Sequence, residues 1–454
     1  MTTTGFFIPE HRTSRPSTYP WKATLLCVAA FAPAVTAQDV LAPPPTASSS
    51  VPPAVEEYQT NQAVQMQVFA PSAPASSSQQ ENQPFRCGPV IVRPNIIYQF
   101  NYGNGILSGP GQQQNTIIQQ FSPGVLLQEG SHWTLNYVPT FNFYSSSAFQ
   151  NTIDENVQLQ WGTTLRDWFM SASQGYTFSD DPEIETAGQT SQQTYSTAVT
   201  GIYHFNDKLS TDLALNQIFN VVGNSQSSTN LLLELGSSRT WSTMDWLNDQ
   251  LWPRLNVGIG IGLNYNQQDN SPDSVYEQYQ AQLNWRATQK ISFQLSGGLG
   301  DQQYLGSSGM GGGTGSLLTP IFSGAIQYQP FAHTKMSLKA TRTVSASEFQ
   351  GQDIESTSIS ADINQRLFGR LVLDLNGGYS TDDYISSIVG VSTARNDNIY
   401  TLNVGLSYPF PKRGTFSIFY QYSKDISTQN GFAAGSAAFG YASHQIGFAI
   451  SYTY

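Results

Sequence analysis

Cysteine is almost absent from this 454-residue chain, Cys27 and Cys87 being its only two. Neither a disulfide framework nor a Cys-rich metal site can be built from them. Charge is scarce as well: Asp, Glu, Lys and Arg make up 11% of residues, against roughly a quarter in an ordinary soluble domain. Twenty basic side chains face 31 acidic ones, a net charge of −11, and that sign opposes attraction to a phosphate backbone. Nucleic acid is therefore excluded as a general partner. Beyond the N-terminus no run of about eighteen apolar residues occurs, which removes a membrane-spanning helix. The motifs G-x-S-x-G, H-E-x-x-H and a complete G-x-G-x-x-G are missing too. No enzyme chemistry, bound metal or cofactor is expected.

Arg12, Arg15 and Lys22 precede the apolar stretch Ala23–Ala34, and Val35-Thr36-Ala37 offers a cleavage point before Gln38. This is the pattern of a secretory signal peptide over residues 1–37. Its twelve apolar residues are too few to cross a hydrocarbon core that needs about twenty. Removing residues 1–37 leaves 17 basic against 30 acidic side chains, a net charge of −13. Residues 38–94 hold ten Pro among Ser, Ala and Gln runs. So few apolar side chains cannot offset the entropy of ordering, and a disordered tether is expected there.

From about residue 95 to 454 the apolar residues recur at every second position, the spacing of one face of a strand. Leu255, Val257, Ile259, Ile261, Leu263 and Tyr265 alternate with Asn256, Gly258, Gly260, Gly262 and Asn264. One face is Leu, Ile, Val and aromatic; the other is Asn, Gln, Ser, Thr and Gly. Hydrocarbon cannot satisfy free backbone groups, so a spanning sheet must close on itself. The expectation is an all-β fold: a transmembrane antiparallel barrel of about eighteen strands, with sixteen as the alternative, apolar residues toward lipid and polar ones toward the lumen. One of the eighteen segments is placed near residue 232, and Ser237–Pro253 is assigned to a connection, as an interfacial helix or a plug.

Phase then predicts which side chains line the lumen. Asp212, Glu234, Asp362 and Asp374 lie between outward neighbours, as do Lys335 and Lys339, and Asn256, Asn264, Gln280 and Gln282 join them. Arg342 shares the phase of Met336 and Leu338, so it is expected beyond the lipid edge or after a bulge, since a midplane Arg facing lipid costs about 2–4 kcal/mol. Short connections alternate with long ones along the chain, which puts tight turns at one end and long loops at the other. Those loops collect Asp180, Asp181, Asp269, Asp273, Asp353, Glu355, Asp382 and Asp383, while Lys290, Arg370, Lys412 and Arg413 gather at the turn end.

The last segment, Ser443–Tyr454, alternates Ile446, Phe448, Ile450, Tyr452 and Tyr454 against small residues and ends on an aromatic. It resembles the C-terminal assembly signal of bacterial outer-membrane barrels. That resemblance implies recognition by the barrel assembly machinery through Phe448, Tyr452 and Tyr454, with Tyr in place of the commoner terminal Phe. The wider region, through NYVPTFNFY at 136 and FYQYSKD at 419, resembles the Putative β-barrel porin 2 group. The resemblance implies an outer-membrane barrel associated with exported polysaccharide, and transfers no defined site residue. With the C-terminus on the periplasmic side, the N-terminus and tight turns are periplasmic and the long loops external.

The function expected is a passive channel for hydrophilic solutes in a bacterial outer membrane. An Asn/Gln wall suits neutral or weakly charged sugars, and loop carboxylates favour cations at the mouth. Two alternatives stand beside it: a non-conducting scaffold for an envelope complex acting through residues 38–94, and a hydrolase in which His444 joins Asp382 or Asp383 to activate water. For that histidine, an interfacial position beside solvated acids is the preferred reading.

Overall fold

The computed structural model describes residues 85–453 apart from 110–111, 184–187, 224–235, 270–271, 306–315, 348–351, 387–393, 411–412 and 431–439. The expected signal peptide and most of the tether lie outside these residues, as do Glu234, Lys412 and Tyr454. Residues 85–94, assigned to the tether on composition, instead form β1 (Phe85–Cys87) and the first residues of β2 (Val90–Gly109).

Eighteen long strands close into one antiparallel barrel. They are β2, β3 (Gln112–Glu129), β4 (Trp133–Tyr144), β5 (Thr152–Leu165), β6 (Trp168–Ser179), β9 (Gln192–His204), β10 (Leu209–Val222), β11 (Ser238–Trp252), β12 (Leu255–Gln268), β13 (Asp273–Trp285), β14 (Ile291–Leu305), β15 (Ser316–Phe331), β16 (Thr334–Ala346), β17 (Gln352–Leu367), β18 (Leu371–Ser386), β19 (Ala394–Phe410), β20 (Gly414–Asn430) and β21 (Tyr441–Thr453). Each pairs with its neighbour in the chain, and β2 pairs with β21 from Asn95↔Thr453 to Asn104↔His444. That last ladder removes both free edges. A two-stranded excursion, β7 (Pro182–Glu183) with β8 (Gly188–Gln189), interrupts the run between β6 and β9.

Strand β12 shows why the chain folds this way. Its apolar residues point outward, Ile259 and Ile261 being 65% and 63% exposed. Its inward positions are Gly258, Gly260 and Gly262. A Cβ on Gly260 would come within 2.6 Å of the Trp246 ring, and one on Gly258 within 2.4 Å of Asn248 Oδ1. Glycine thus lets large neighbours on β11 lie flat against the inner wall.

Strand β11 corrects the expectation for this part of the chain. No helix or plug spans Ser237–Pro253; the segment is a wall strand paired directly with β10, while residue 232, where a strand was expected, lies outside the described residues. The alternation was hidden because large apolar Met244 and Trp246 face inward, opposite Gly262 and Gly260, while Asp245 and Asp249 share the outward face with Ile261 and Val257.

Turns of two to five residues join β3 to β4, β5 to β6, β9 to β10, β11 to β12, β13 to β14, β15 to β16, β17 to β18 and β19 to β20, all at one end. Both β2 and β21 have their outer termini at that end. Basic side chains, including Arg166, Lys208, Arg254, Arg286, Lys290 and Arg370, are exposed along it. Aromatic pairs stand just inside it: Trp133–Trp161 at 6.1 Å, Trp168–Tyr203 at 4.9 Å and Trp285–Phe293 at 5.4 Å between ring centroids. Such a girdle suits a boundary where one end of a ring is apolar and the other wet. Phe448, in the expected outward row, stacks on Phe100 at 5.5 Å, and Tyr452 is exposed in the same row.

Candidate functional site

The inner face of the belt carries linked polar rows. On one side Asp362 accepts from Ser337 at 3.0 Å and from Asn376, and Asn376 accepts from Asn403 at 3.1 Å. Asp374 accepts from Asn364, which stands opposite Lys335; Lys339 stands opposite Ser360. On the other side Asn248 donates to Asp212 at 2.8 Å, and Gln282 reaches past Gly258 to donate to Asn248 at 2.6 Å. Gln280 donates to Gln278 at 2.8 Å. Asn256 lies opposite Asn284, and Asn264 opposite Tyr276, both in phase with the inward glycines of β12. Carboxylates held by amides, with the lysines on another stretch of the same face, give a wall that hydrogen-bonds without one dominant charge.

At the loop end two segments fold across this wall. The first runs from β6 through β7 and β8, crossing the ends of β5, β4 and β3 to touch β2. Asp181 anchors it, accepting from Tyr144 Oη at 2.8 Å and Asn142 Nδ2 at 3.1 Å. Asn142 also donates to Asp154 at 2.5 Å, and Gln150 and Gln189 exchange two further bonds at 2.9 and 3.0 Å. Beneath them Ile106, Ile118, Tyr144 and Phe149 form an apolar cluster.

The second is the tip of the β16–β17 hairpin. Pairing between β15 and β16 stops at Phe322↔Arg342. Above that point residues of β16 pair with β17 alone, up to Ala346↔Asp353. Released on its β15 side, while β17 stays paired with β18 up to Gln352↔Ser386, the tip crosses the inner wall. Val344 packs with Tyr276 and Ile321, Asp353 accepts from Gln302 at 2.9 Å and Tyr304 Oη at 2.5 Å, and Ser347 carbonyl accepts from Gln268 at 2.9 Å.

This geometry gives two groups unexpected partners. Arg342 stands where the strands part, paired with Glu355 and donating to Thr357 at 3.0 Å. Asp353 and Glu355 are not solvated loop acids but docking groups of the tip, and burial pushes the Asp353 carboxyl up to about 6 although bonds from Tyr304 and Gln302 pull the other way.

The supposed hydrolytic group is not assembled. His444 lies on the outward face, bonded to Tyr420 Oη at 2.9 Å and 4.8 Å from the Tyr422 ring. Asp382 faces the other way and accepts from Ser356 at 2.6 Å, and Asp383, on the outward face, accepts from Asn396 of β19, with β19 and β20 standing between it and the strand of His444. Sequence reading also missed an inward cluster near the mouth, where Arg395 holds Asp397 at 2.7 Å and covers the Tyr384 ring at 4.2 Å, with Ser427 donating to Asp397 at 2.5 Å. Among the described residues no three His, Cys, Asp or Glu side chains are grouped to hold a metal.

Residues 313–442 match the family described as Putative beta-barrel porin 2. The match runs from just before β15 to the first two residues of β21, so it includes the inward tip. No curated protein matches the chain. Among solved structures, the outer membrane protein OpdK of Pseudomonas aeruginosa is similar at 11% identity, over 80% of this chain and 99% of that one, with a TM-score of 0.45. OccK3 (OpdO) of the same organism is similar at 12% identity, over 80% and 95%, with a TM-score of 0.41. The chain is a closed antiparallel barrel of eighteen strands with aliphatic side chains outside and polar ones inside.

Proposed function

We propose that the protein is a passive outer-membrane channel for hydrophilic solutes. One observation carries this reading: a closed barrel of eighteen strands holds linked Asn, Gln and Asp side chains on its inner face and aliphatic side chains outside. Barrels of this size enclose an aqueous passage, here narrowed at the loop end by the two inward segments. The wall replaces part of a solute's hydration by amide and hydroxyl contacts, without chemistry.

In the same reading the turn end, with both strand termini, faces the periplasm. Residues 1–37 direct export and are removed, residues 38–84 tether the barrel to the periplasmic side, and the row containing Phe448, Tyr452 and Tyr454 presents the assembly signal. The cargo is a small hydrophilic solute or an exported polysaccharide, the latter resting on the family resemblance alone. Planar-bilayer recordings on the refolded full chain test the proposal. A persistent ohmic conductance is the expected result; a properly inserted barrel that stays silent favours the envelope scaffold instead.

A further inference from the structure

Neither sign of charge dominates the wall as a whole, but the two signs are not mixed along the barrel axis. Toward the turn end the inner face carries Arg93 opposite Leu126, Lys335 opposite Asn364, Lys339 opposite Ser360 and Arg366 opposite Val372. Arg93 continues the inward row of Gln99 and Asn101, and Arg366 that of Asp362 and Asn364. Arg93, Lys335 and Arg366 are exposed and Lys339 half-buried. Their rows face the lumen, so that exposure is to the passage and not to lipid. Exposed basic turn residues, from Arg166 round to Arg370, extend the cationic zone to the rim. The acids on this part of the inner face are fewer and tied into the wall: Asp212 accepts from Asn248, Asp374 from Asn364, and Asp362 from both Ser337 and Asn376. At the loop end, by contrast, Arg342 and Arg395 are ion-paired with Glu355 and Asp397.

The turn-end cations are solvated, and none of them requires a partner; what their grouping does is set a field. Charges of one sign around a mouth with low-dielectric walls focus the potential and raise the local concentration of the opposite sign. Inside that collar Arg366 is the diagonal neighbour of Lys335 across the β16–β17 ladder, about 7–8 Å away between backbones. Both side chains are long enough to close on one carboxylate, and the guanidinium fork fits its two oxygens. Lys339, four residues along the same row, stands about 13 Å further up the wall. We propose that the turn-end half of the passage is a capture site for anionic solutes carrying more than one carboxylate. The collar draws the solute in, Lys335 and Arg366 hold one carboxylate, and Lys339 meets another. A neutral sugar gains nothing from this field and a cation is repelled by it. The inference rests on the channel reading and gives the charge class of its solute.

The test is single-channel recording of the refolded full chain in phosphatidylcholine bilayers with trigalacturonate added, and maltotriose at equal concentration as the neutral comparison. Trigalacturonate should interrupt the current and maltotriose should not. The frequency of interruption should fall about 10-fold between 0.1 M and 1 M KCl, as the screening length shrinks from about 10 to 3 Å. Lys335→Gln combined with Arg366→Gln should lower it about 10-fold at the lower salt, whereas Lys335→Arg combined with Arg366→Lys keeps both charges and should retain most of it. Arg370→Gln, at an exposed turn, should lower it about 3-fold and decides the matter if the double neutralisation does not insert. Equal interruption by maltotriose, an open current that trigalacturonate never interrupts, or a frequency indifferent to salt and to neutralisation overturns the capture site while leaving the channel standing. Absence of any conductance overturns both.

Discussion

The lower and upper halves of the β16–β17 hairpin share one alternation and meet different surroundings. Below, Leu338 and Ile359 sit in the outward row and are exposed where lipid would lie. Above, Arg342 and Val344 continue the same row without a register shift, with Thr357 and Glu355 opposite them. There, however, the row lies against Tyr276 and Ile321, on the inner face of neighbouring strands. Period two therefore assigns a side chain to a face of its strand; the path of the strand decides what that face touches. Arg342 is tolerated because the wall parts from its partner strand at that residue.

The comparison can be broken most directly by placing one charge in each half. Leu338→Arg puts a cation into the lipid belt and should cost about 2–4 kcal/mol of barrel stability, read as a lowered urea midpoint for unfolding from vesicles. Val344→Arg, six residues along in the same row, should leave that midpoint nearly unchanged. It places an unpaired charge in the Tyr276–Ile321 cluster, so the tip should lift and the conductance rise roughly 2-fold, since a barrel of this size is wide without its inward segments. Equal loss of stability in both variants would mean that the upper half also faces lipid.

Acidity sharpens the same contrast because only the upper half carries a buried docking carboxylate. Asp353, 4% exposed, has its carboxyl pushed from the ordinary 3.8 up to about 6 by burial. A group with a raised value in the docked state binds its proton more tightly there, so docking is strengthened by acid. The extra stability is complete below pH 3.8 and is lost as pH rises through about 6. The difference between those values corresponds to about 3 kcal/mol. Conductance should therefore fall as pH is lowered from 7.5 to 5, and Asp353→Asn should flatten that dependence. A wild-type conductance constant over this interval would show that the tip does not move with this proton.

The sequence makes the belt readable and the mouth much less so. Strands such as β12, with Ile259 and Ile261 outside and glycine inside, announce their face because lipid tolerates few alternatives. The closing pair of first and last strands follows from the need to remove edges. The inward tip has no such signature: Tyr276, Gln302 and Tyr304 meet residues of β16 and β17 only after the chain has crossed two strands, and Asp181 meets Asn142 from 39 positions away. Local periodicity carries no term for those contacts. Strand β11 failed for a different reason, because two of its largest apolar side chains point inward onto glycine.

That strand supplies the smallest of the expected effects. Asp245 shares the outward row with Leu247, opposite Ile261, and is exposed in the belt. Registered pairing between β10 and β11 skips from Asp212↔Trp246 to Leu215↔Thr243, and within this gap Ala214 N–H donates to Asp245 Oδ1 at 3.4 Å. The carboxylate thus takes over part of a ladder's work while facing hydrocarbon, where acids cost less than Lys or Arg but still cost. Asp245→Leu removes that cost and leaves one backbone donor to find a carbonyl, which the adjacent ladder can supply. The two changes oppose each other, so a net gain of only about 1 kcal/mol is expected in the same urea titration. A loss instead would show that the side-chain bond holds β10 to β11 more firmly than regular pairing could. The outward row of β11 would then be built around its acid, unlike the aliphatic row of β12.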